Sequence, residues 1–328
     1  MAGLRLGRRR ALAASLATPL LASGIARADS DWPNKTVRYI NPFPAGGTTD
    51  VLSRVCCQEL SELTGRQFVV ENKGGAGGNV GADLLAKSPP DGYTLGLLSI
   101  APHGIAPTLY SRLPFNADKD FTPIAMFWAV PNLLVVKNDL PVKSVPELIA
   151  LVKANPGKYF FGSGGSGTSP HICGEMFKLR AGLNMQHVPY RGGAPAMQDM
   201  LAGNLDMMFD NISTPLVQHK AGKVRGLAVT SPQRYVGAPD LPTMAEFMPG
   251  FQMTSWGGLC GPAGLPPAMV EKASALVGKI MQSAKLKKIF AEQTAMVFYK
   301  DARGAAEFRR QQEAELAPII KASGAKVD

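Results

Sequence analysis

Short apolar runs alternate along the chain with stretches of helical periodicity. Residues 36–41 (TVRYIN), 67–72 and 93–99 are predicted strands, while 51–63 and the end of GGAGGNVGADLLAK are predicted helices. Single short strands separated by helices point to parallel sheets built of βαβ units. Residues 133–137 (LLVVK) read as a strand that leaves this first layer. A helix follows over Val145–Ala154, opened by Ser144 with Pro146 in its first turn and stopped by Asn155-Pro156-Gly157. Predicted strands at 159–162, 186–190, 205–210 and 226–230 then alternate with helices ending near Ala181 and spanning 194–201. A proline-rich stretch, 232–249, precedes a strand-like segment at 252–260, and 267–321 is expected to be mostly helical. The expected fold is therefore α/β, with two lobes, each a mainly parallel sheet flanked by helices. The chain should cross between them near 131–136 and again near 250–256, with a ligand cleft in between.

The first 28 residues stand outside this pattern. Arg5, Arg8, Arg9 and Arg10 precede an uncharged small-residue run, ALAASLATPLLASGI, and Ala26-Arg27-Ala28 then supplies a small-x-small cleavage pattern. This is the order of a secretory signal peptide, cleaved after Ala28 and directing the protein to the periplasm. The run is too short for a membrane span, which needs about 20 apolar residues. Arg8-Arg9-Arg10-Ala11-Leu12 resembles a twin-arginine signal, although the general secretory route also accepts paired arginines. No cysteine lies near the cleavage point to carry a lipid.

Loss of that segment removes five arginines and lowers the formal charge from +10 to +5. No dense Lys/Arg stripe remains, so nucleic acid is not an expected partner. A mild positive balance still favours anionic ligands. The four cysteines, Cys56, Cys57, Cys173 and Cys260, fit no disulfide, zinc or redox spacing and read as small buried hydrophobes.

Two loops carry the candidate chemistry. Phe43-Pro44-Ala45-Gly46-Gly47-Thr48-Thr49-Asp50 and Gly162-Ser163-Gly164-Gly165-Ser166-Gly167-Thr168-Ser169 each join a predicted strand to a predicted helix, one in each lobe. Glycine lets the backbone approach a ligand, and free N–H groups at the following helix start attract a carboxylate or phosphate. Either loop alone is equally well read as a tight connection with Thr48, Thr49 or Ser169 capping a helix. The matched pair favours a shared ligand.

Sharper chemistries fit less well. Gly162-x-Gly164-x-x-Gly167 has the dinucleotide spacing but lacks the acid after the next strand, where His187-Val188-Pro189-Tyr190-Arg191 stands. Neither Ser163 nor Ser166 lies in G-x-S-x-G, because Phe161 and Thr168 break the frame. An exported hydrolase using Ser166 and His171 is the rival from another class. His103, His171, His187 and His219 show no metal spacing, and neither metal nor cofactor is expected. Asp206 reads as a solvated acid and Asp210 as facing the cleft, where it could accept from a ligand amino or hydroxyl group.

PFPAGGTTD, VVENKGGAGGNVGADLLAK and PDGYTL resemble the first lobe of the Bug family of extracytoplasmic receptors, the TctC-type components of tripartite tricarboxylate transporters. FGSGGSGTSPHICGEMFK, HVPYRGGAPAMQDMLAGNLDMMFDN and KAGKVRGLAVTSPQR resemble its second lobe. The resemblance implies a type II periplasmic-binding-protein fold that closes on a small organic carboxylate. It implies a solute receptor, not an enzyme, usually monomeric, with membrane permease subunits as partners; an orphan sensor without a permease is the close rival. Lobe 1 would comprise 29–131 with 253–328, and lobe 2 would comprise 132–252. By motif position Phe43, Ala45, Gly46, Gly47, Thr48 and Asp50 would line the first lobe's side of the cleft. Ser163, Gly164, Ser166, Gly167, Thr168, Tyr190 and Asp210 would line the second, with His103 and Trp256 as side walls. Gly165, where the family often has Asn, and the APHGIAP segment depart from the pattern where ligand identity is decided.

Overall fold

The computed structural model describes residues 31–327, so the signal-peptide expectation lies outside the described residues. Strand β1 (Val37–Asn41) leads through the first glycine loop into helix α1 (Thr48–Thr64), followed by β2 (Phe68–Asn72), α2 (Asn79–Ala86), β3 (Thr94–Ser99) and α3 (Ala106–Leu109). Strand β4 (Phe121–Lys137) opens the second lobe, which continues through α4 (Val145–Ala154), β5 (Phe160–Ser163), α5 (Ser169–Ala181), β6 (Gln186–Pro189), α6 (Gly193–Leu201), β7 (Met207–Asn211), α7 (Ser213–Lys220) and β8 (Val224–Val229). The chain returns on β9 (Thr254–Pro262) and ends with α8 (Pro267–Gln282), α9 (Ala284–Glu292), β10 (Met296–Lys300) and α10 (Ala302–Ser323).

The outer strands pair in parallel, β1 with β2 and β3 in one lobe and β5 with β6 and β7 in the other. The middle is antiparallel. β9 pairs with β3 and with residues 121–131 of β4, and from Asn132 onward β4 instead pairs with β7 and β8. The segment expected as an isolated strand at 133–137 is thus the far end of a 17-residue strand shared by both lobes. Its residues are buried almost end to end, the burial of a strand covered on both faces, which explains why it shows no alternation.

The two crossings are bonded side by side. The Thr230 hydroxyl accepts from the Asn132 N–H at 2.8 Å and donates to the Met253 carbonyl at 2.6 Å. Backbone bonds from Thr230 to Asn132 and from Met253 to Thr230 complete the joint.

β10 interrupts the expected helical C-terminal stretch. It pairs antiparallel with β4 opposite residues 126–129 and is half exposed along its length, so MVFYK shows no buried face in sequence. Helix α10 packs back on the core through Arg309, 3% exposed, which binds Asp118 at 2.6 Å and Glu313 at 2.5 Å. All four cysteines are free and buried, as their sequence context suggested. Among the described residues no helix is long and apolar enough to cross a membrane.

Candidate functional site

Between the lobes lies a cavity of about 100 Å³. Phe43, Pro44, Ala45, Gly47, Thr48 and Thr49 line it from the first lobe, with Ser99, Ile100, Ala101 and Ser255. Gly164, Thr168, Ser169, Pro170, Gly192 to Pro195, Asp210, Asn211 and Thr214 line it from the second. No lysine, arginine or histidine is among these residues, and Asp210 is their single acid.

Four helices begin at this wall. The starts of α1, α5, α6 and α7 all contribute lining residues, and none carries a side-chain cap. Of the helices whose starts lie elsewhere, α4, α9 and α10 are capped by Ser144, Ser283 and Asp301, while α2, α3 and α8 also lack a side-chain cap. Thr168 has a hydroxyl in the capping position of α5 but donates it to the Gly165 carbonyl at 2.7 Å. The first N–H groups of an α-helix have no partner within the helix, and the helix dipole makes that end positive. An anion placed here is met by converging N–H donors instead of a side-chain cation. Hydrogen bonds to a charged group contribute about 1.5–3 kcal/mol each.

Seven of the fifteen residues singled out in sequence meet at this wall: Phe43, Ala45, Gly47, Thr48, Gly164, Thr168 and Asp210. The other eight are placed elsewhere. Asp50 turns away from the cavity and braces the first loop, accepting from the Gly46 N–H at 2.9 Å, from Arg54 and from Asn72. Burial pushes its carboxyl up, but those bonds outweigh it and hold it below the usual carboxylate range. Gly46 is exposed and spends its N–H on that brace. His103 lies on a short π-helical segment, Ala101–Ile105, that turns its ring into the core. There it accepts from the Ser99 N–H at 3.2 Å and meets Phe121 edge-on, and burial pushes it down to about 3. Ser163 is buried behind its loop, its hydroxyl 2.7 Å from His187 Nε2. Tyr190 is bonded to Asp199, and Trp256 packs on Phe308 and donates to Gln312 at 3.2 Å.

Ser166 and Gly167 face the first lobe. The Tyr110 hydroxyl lies 3.1 Å from the Ala76 carbonyl of lobe 1 and 3.2 Å from the Ser166 carbonyl of lobe 2. Gly167 packs against the Tyr110 ring and Leu109. At the opposite rim Pro44 sits over Gly192, where an added Cβ would meet the proline ring at 3.3 Å. The lobes therefore touch at two rims of the cavity. Loss of the Tyr110 hydroxyl in Tyr110→Phe removes one side of this latch. A neutral hydrogen bond contributes about 0.5–1.5 kcal/mol. The expected result is a Kd raised about 2- to 10-fold with the melting temperature of the ligand-free protein little changed, checked by titration and melting of both forms.

The Ser166–His171 pairing does not assemble. His171 Nδ1 accepts from the Gly167 N–H at 3.2 Å, the Ser166 hydroxyl makes no hydrogen bond to the ring, and Asp210 lines the cavity between the lobes, to which neither Ser166 nor His171 contributes. Burial, with Lys178 nearby, pushes His171 down to about 4. Among the described residues no cluster of three or more His, Cys, Asp or Glu could hold a metal ion.

Sequence reasoning missed Ser99, Ser255, Thr214 and the third glycine turn, while Asn211, expected beside Asp210 at the cleft, does line it. Gly192-Gly193 also joins a strand to a helix, β6 to α6, as the other two loops do, and that shared pattern was available in the sequence.

A cavity at the joint of two α/β lobes, walled by uncapped helix starts, defines a solute-binding protein. The chain belongs to the tripartite tricarboxylate transporter family receptors (TctC), whose family model matches residues 52–325. It is 34% identical to protein BugT of Bordetella pertussis over 298 residues, covering 90% of this chain and 91% of BugT. In structure it is similar to Rpa4515 of R. palustris with adipate, at a TM-score of 0.87 and 32% identity, covering 90% of this chain and 100% of that one. It is also similar to MatC from Rhodopseudomonas palustris with bound malate, at a TM-score of 0.84 and 28% identity, covering 88% and 100%.

Proposed function

We propose that the protein captures a small organic carboxylate between its lobes and presents it, closed, to membrane permease subunits of the tripartite tricarboxylate type. The observation that carries this reading is the convergence of four uncapped helix starts on a cavity without a cation. Such a wall attracts negative charge through backbone donors, and Asp210 is the single titratable side chain among its lining residues. Relatives solved with adipate and with malate supply the ligand class. The lobes are taken as 29–131 with 253–328 and as 132–252, because β4 changes partners at Asn132 and the chain returns at Met253. The receptor acts as a monomer in the periplasm after cleavage following Ala28. Phe43, Ala45, Gly47, Thr48, Gly164, Thr168 and Asp210 contact the ligand.

Thermal unfolding against a panel of aliphatic and aromatic mono-, di- and tricarboxylates, with malate and adipate included, tests the reading. A native-state ligand at a hundredfold excess over its Kd stabilises by about 2.7 kcal/mol. A clear upward shift with one acid is the expected result. Shifts with neutral amides or esters, and with no acid, would overturn it.

A further inference from the structure

We infer that Asp210 meets its ligand as a neutral acid, donating a hydrogen bond to a ligand oxygen, so that capture of a carboxylate takes up one proton. This rests on the carboxylate reading above and adds to it a determinant of specificity. A ligand with a second anionic group reaching Asp210 is favoured over one presenting an ammonium or a hydroxyl donor there.

Asp210 is 6% exposed, lies near the end of β7 and lines the cavity. One carboxyl oxygen accepts from the neighbouring Asn211 N–H at 2.9 Å. The other has no hydrogen-bond donor in the protein and points at Gly193, where an added Cβ would meet it at 2.6 Å. No lysine, arginine or histidine shares the cavity.

The elements packed around β7 bring no compensating charge. The residue paired with Asp210 on β4 is Leu133, and β5 carries no titratable group. On α5, Cys173 takes the Asn132 amide, His171 takes the Gly167 N–H, Lys178 pairs with Glu175, and the Arg180 guanidinium binds the Pro249 carbonyl. On α6, Asp199 is bonded to Tyr190 and Asn204, and on α7 His219 accepts from the Gly226 N–H while Lys220 donates to the Gly237 carbonyl. Lys137, at the far end of β4, pairs with Asp206. None of these groups bonds Asp210. Burial pushes its carboxyl up to about 7, opposed by the Asn211 N–H. A ligand carboxylate entering the same cation-free cavity raises it further, since two carboxylates sharing a site resist joint ionisation. The proton is drawn from solvent and forms an O–H bond on Asp210, where it lies between the two carboxyl groups; no other covalent bond changes.

Two measurements on wild type and Asp210→Asn decide the matter. The first needs no ligand. A carboxyl raised in the folded state favours folding below its unfolded value and loses that contribution as pH rises through its folded value. The wild-type melting temperature is therefore expected to fall between about pH 4 and 7 relative to that of Asp210→Asn, with the two running parallel above. The second is titration calorimetry with adipate and with malate at about pH 6.5 to 8.5, in buffers of differing ionisation heat. The expected result is uptake of about one proton near pH 8 and a Kd that rises toward tenfold per pH unit in the wild type, with both effects gone in Asp210→Asn. Parallel melting curves across the whole range overturn the inference. So does binding of either acid without proton uptake, or with uptake that survives the substitution, and the carboxylate reading then stands alone. Absence of heat with both acids bears on the choice of ligand, while the ligand-free melting curves still decide the state of Asp210.

Discussion

Gly47→Leu is expected to leave the fold intact and to remove ligand capture. Gly47 precedes α1 in extended backbone, with φ −81° and ψ 169°, a conformation open to any residue. A Cβ built there meets nothing closer than the Pro44 carbonyl at 3.9 Å, so a side chain causes no strain in the empty protein. Gly47 nonetheless lines the cavity beside Thr48 and Thr49. A leucine would occupy the space in front of the first N–H groups of α1 and screen them from a carboxylate. Two or more charge-assisted bonds are lost at about 1.5–3 kcal/mol each, which corresponds to a Kd raised by about a hundredfold or more. Melting of the ligand-free variant within about 2 °C of wild type, with no shift on adding the acid that stabilises wild type, is the outcome to look for; a retained shift would remove the first glycine loop from the site.

Gly77→Val is expected to fail at a different step, closure. Gly77 sits in the left-handed region at φ +64°, where a β-branched residue is strained. Its added Cβ would lie 2.3 Å from the Ser166 carbonyl oxygen and 3.1 Å from the Tyr110 hydroxyl. The first clash is with backbone of the opposite lobe, so relief requires the lobes to part. A protein whose binding-competent state is rarely populated loses affinity in proportion to that population. The expected Kd rises by about tenfold or more, and scattering in the presence of saturating acid should keep the larger radius of the open form while wild type contracts. Contraction of the variant to the wild-type radius would show that the rim contact does not govern closure.

The parts of the site legible in sequence were those set by local chain direction. A strand, a glycine turn and a helix start are read from neighbouring residues, and this places Phe43 to Thr48 and Gly164 to Thr168 at a helix mouth. Side-chain direction at the ends of those loops was less legible. Asp50 and Asp210 are both acids beside a strand end or helix start, yet Asp50, though buried, turns away from the cavity because Arg54, one helical turn on, and Asn72 hold it there. Asp210 has no such neighbour and faces the cavity. The i,i+4 spacing of Asp50 and Arg54 was visible in the sequence and would have separated them.

What was not legible depends on segments far apart in the chain. The approach of Gly77 to Ser166 and of Pro44 to Gly192 exists only once the lobes meet. Burial of His103 follows from a π-helical segment that no periodicity announces, and β10 from pairing with β4 at a half-exposed edge. Only the last five residues of the 17-residue β4 read as a strand in sequence, because its bulges against β9 and its uniform burial blur the alternation of a strand.

The central claim is that backbone donors at the helix starts, with no side-chain cation, read the charge of a carboxylate. Titration calorimetry of the most stabilising acid of the panel against its own amide, matched in size and shape, tests it most directly. The acid is expected to bind and the amide to bind at least about tenfold more weakly, the difference of one or more charged hydrogen bonds. Equal affinity for acid and amide would contradict it, because a wall that does not distinguish charge is not an anion site.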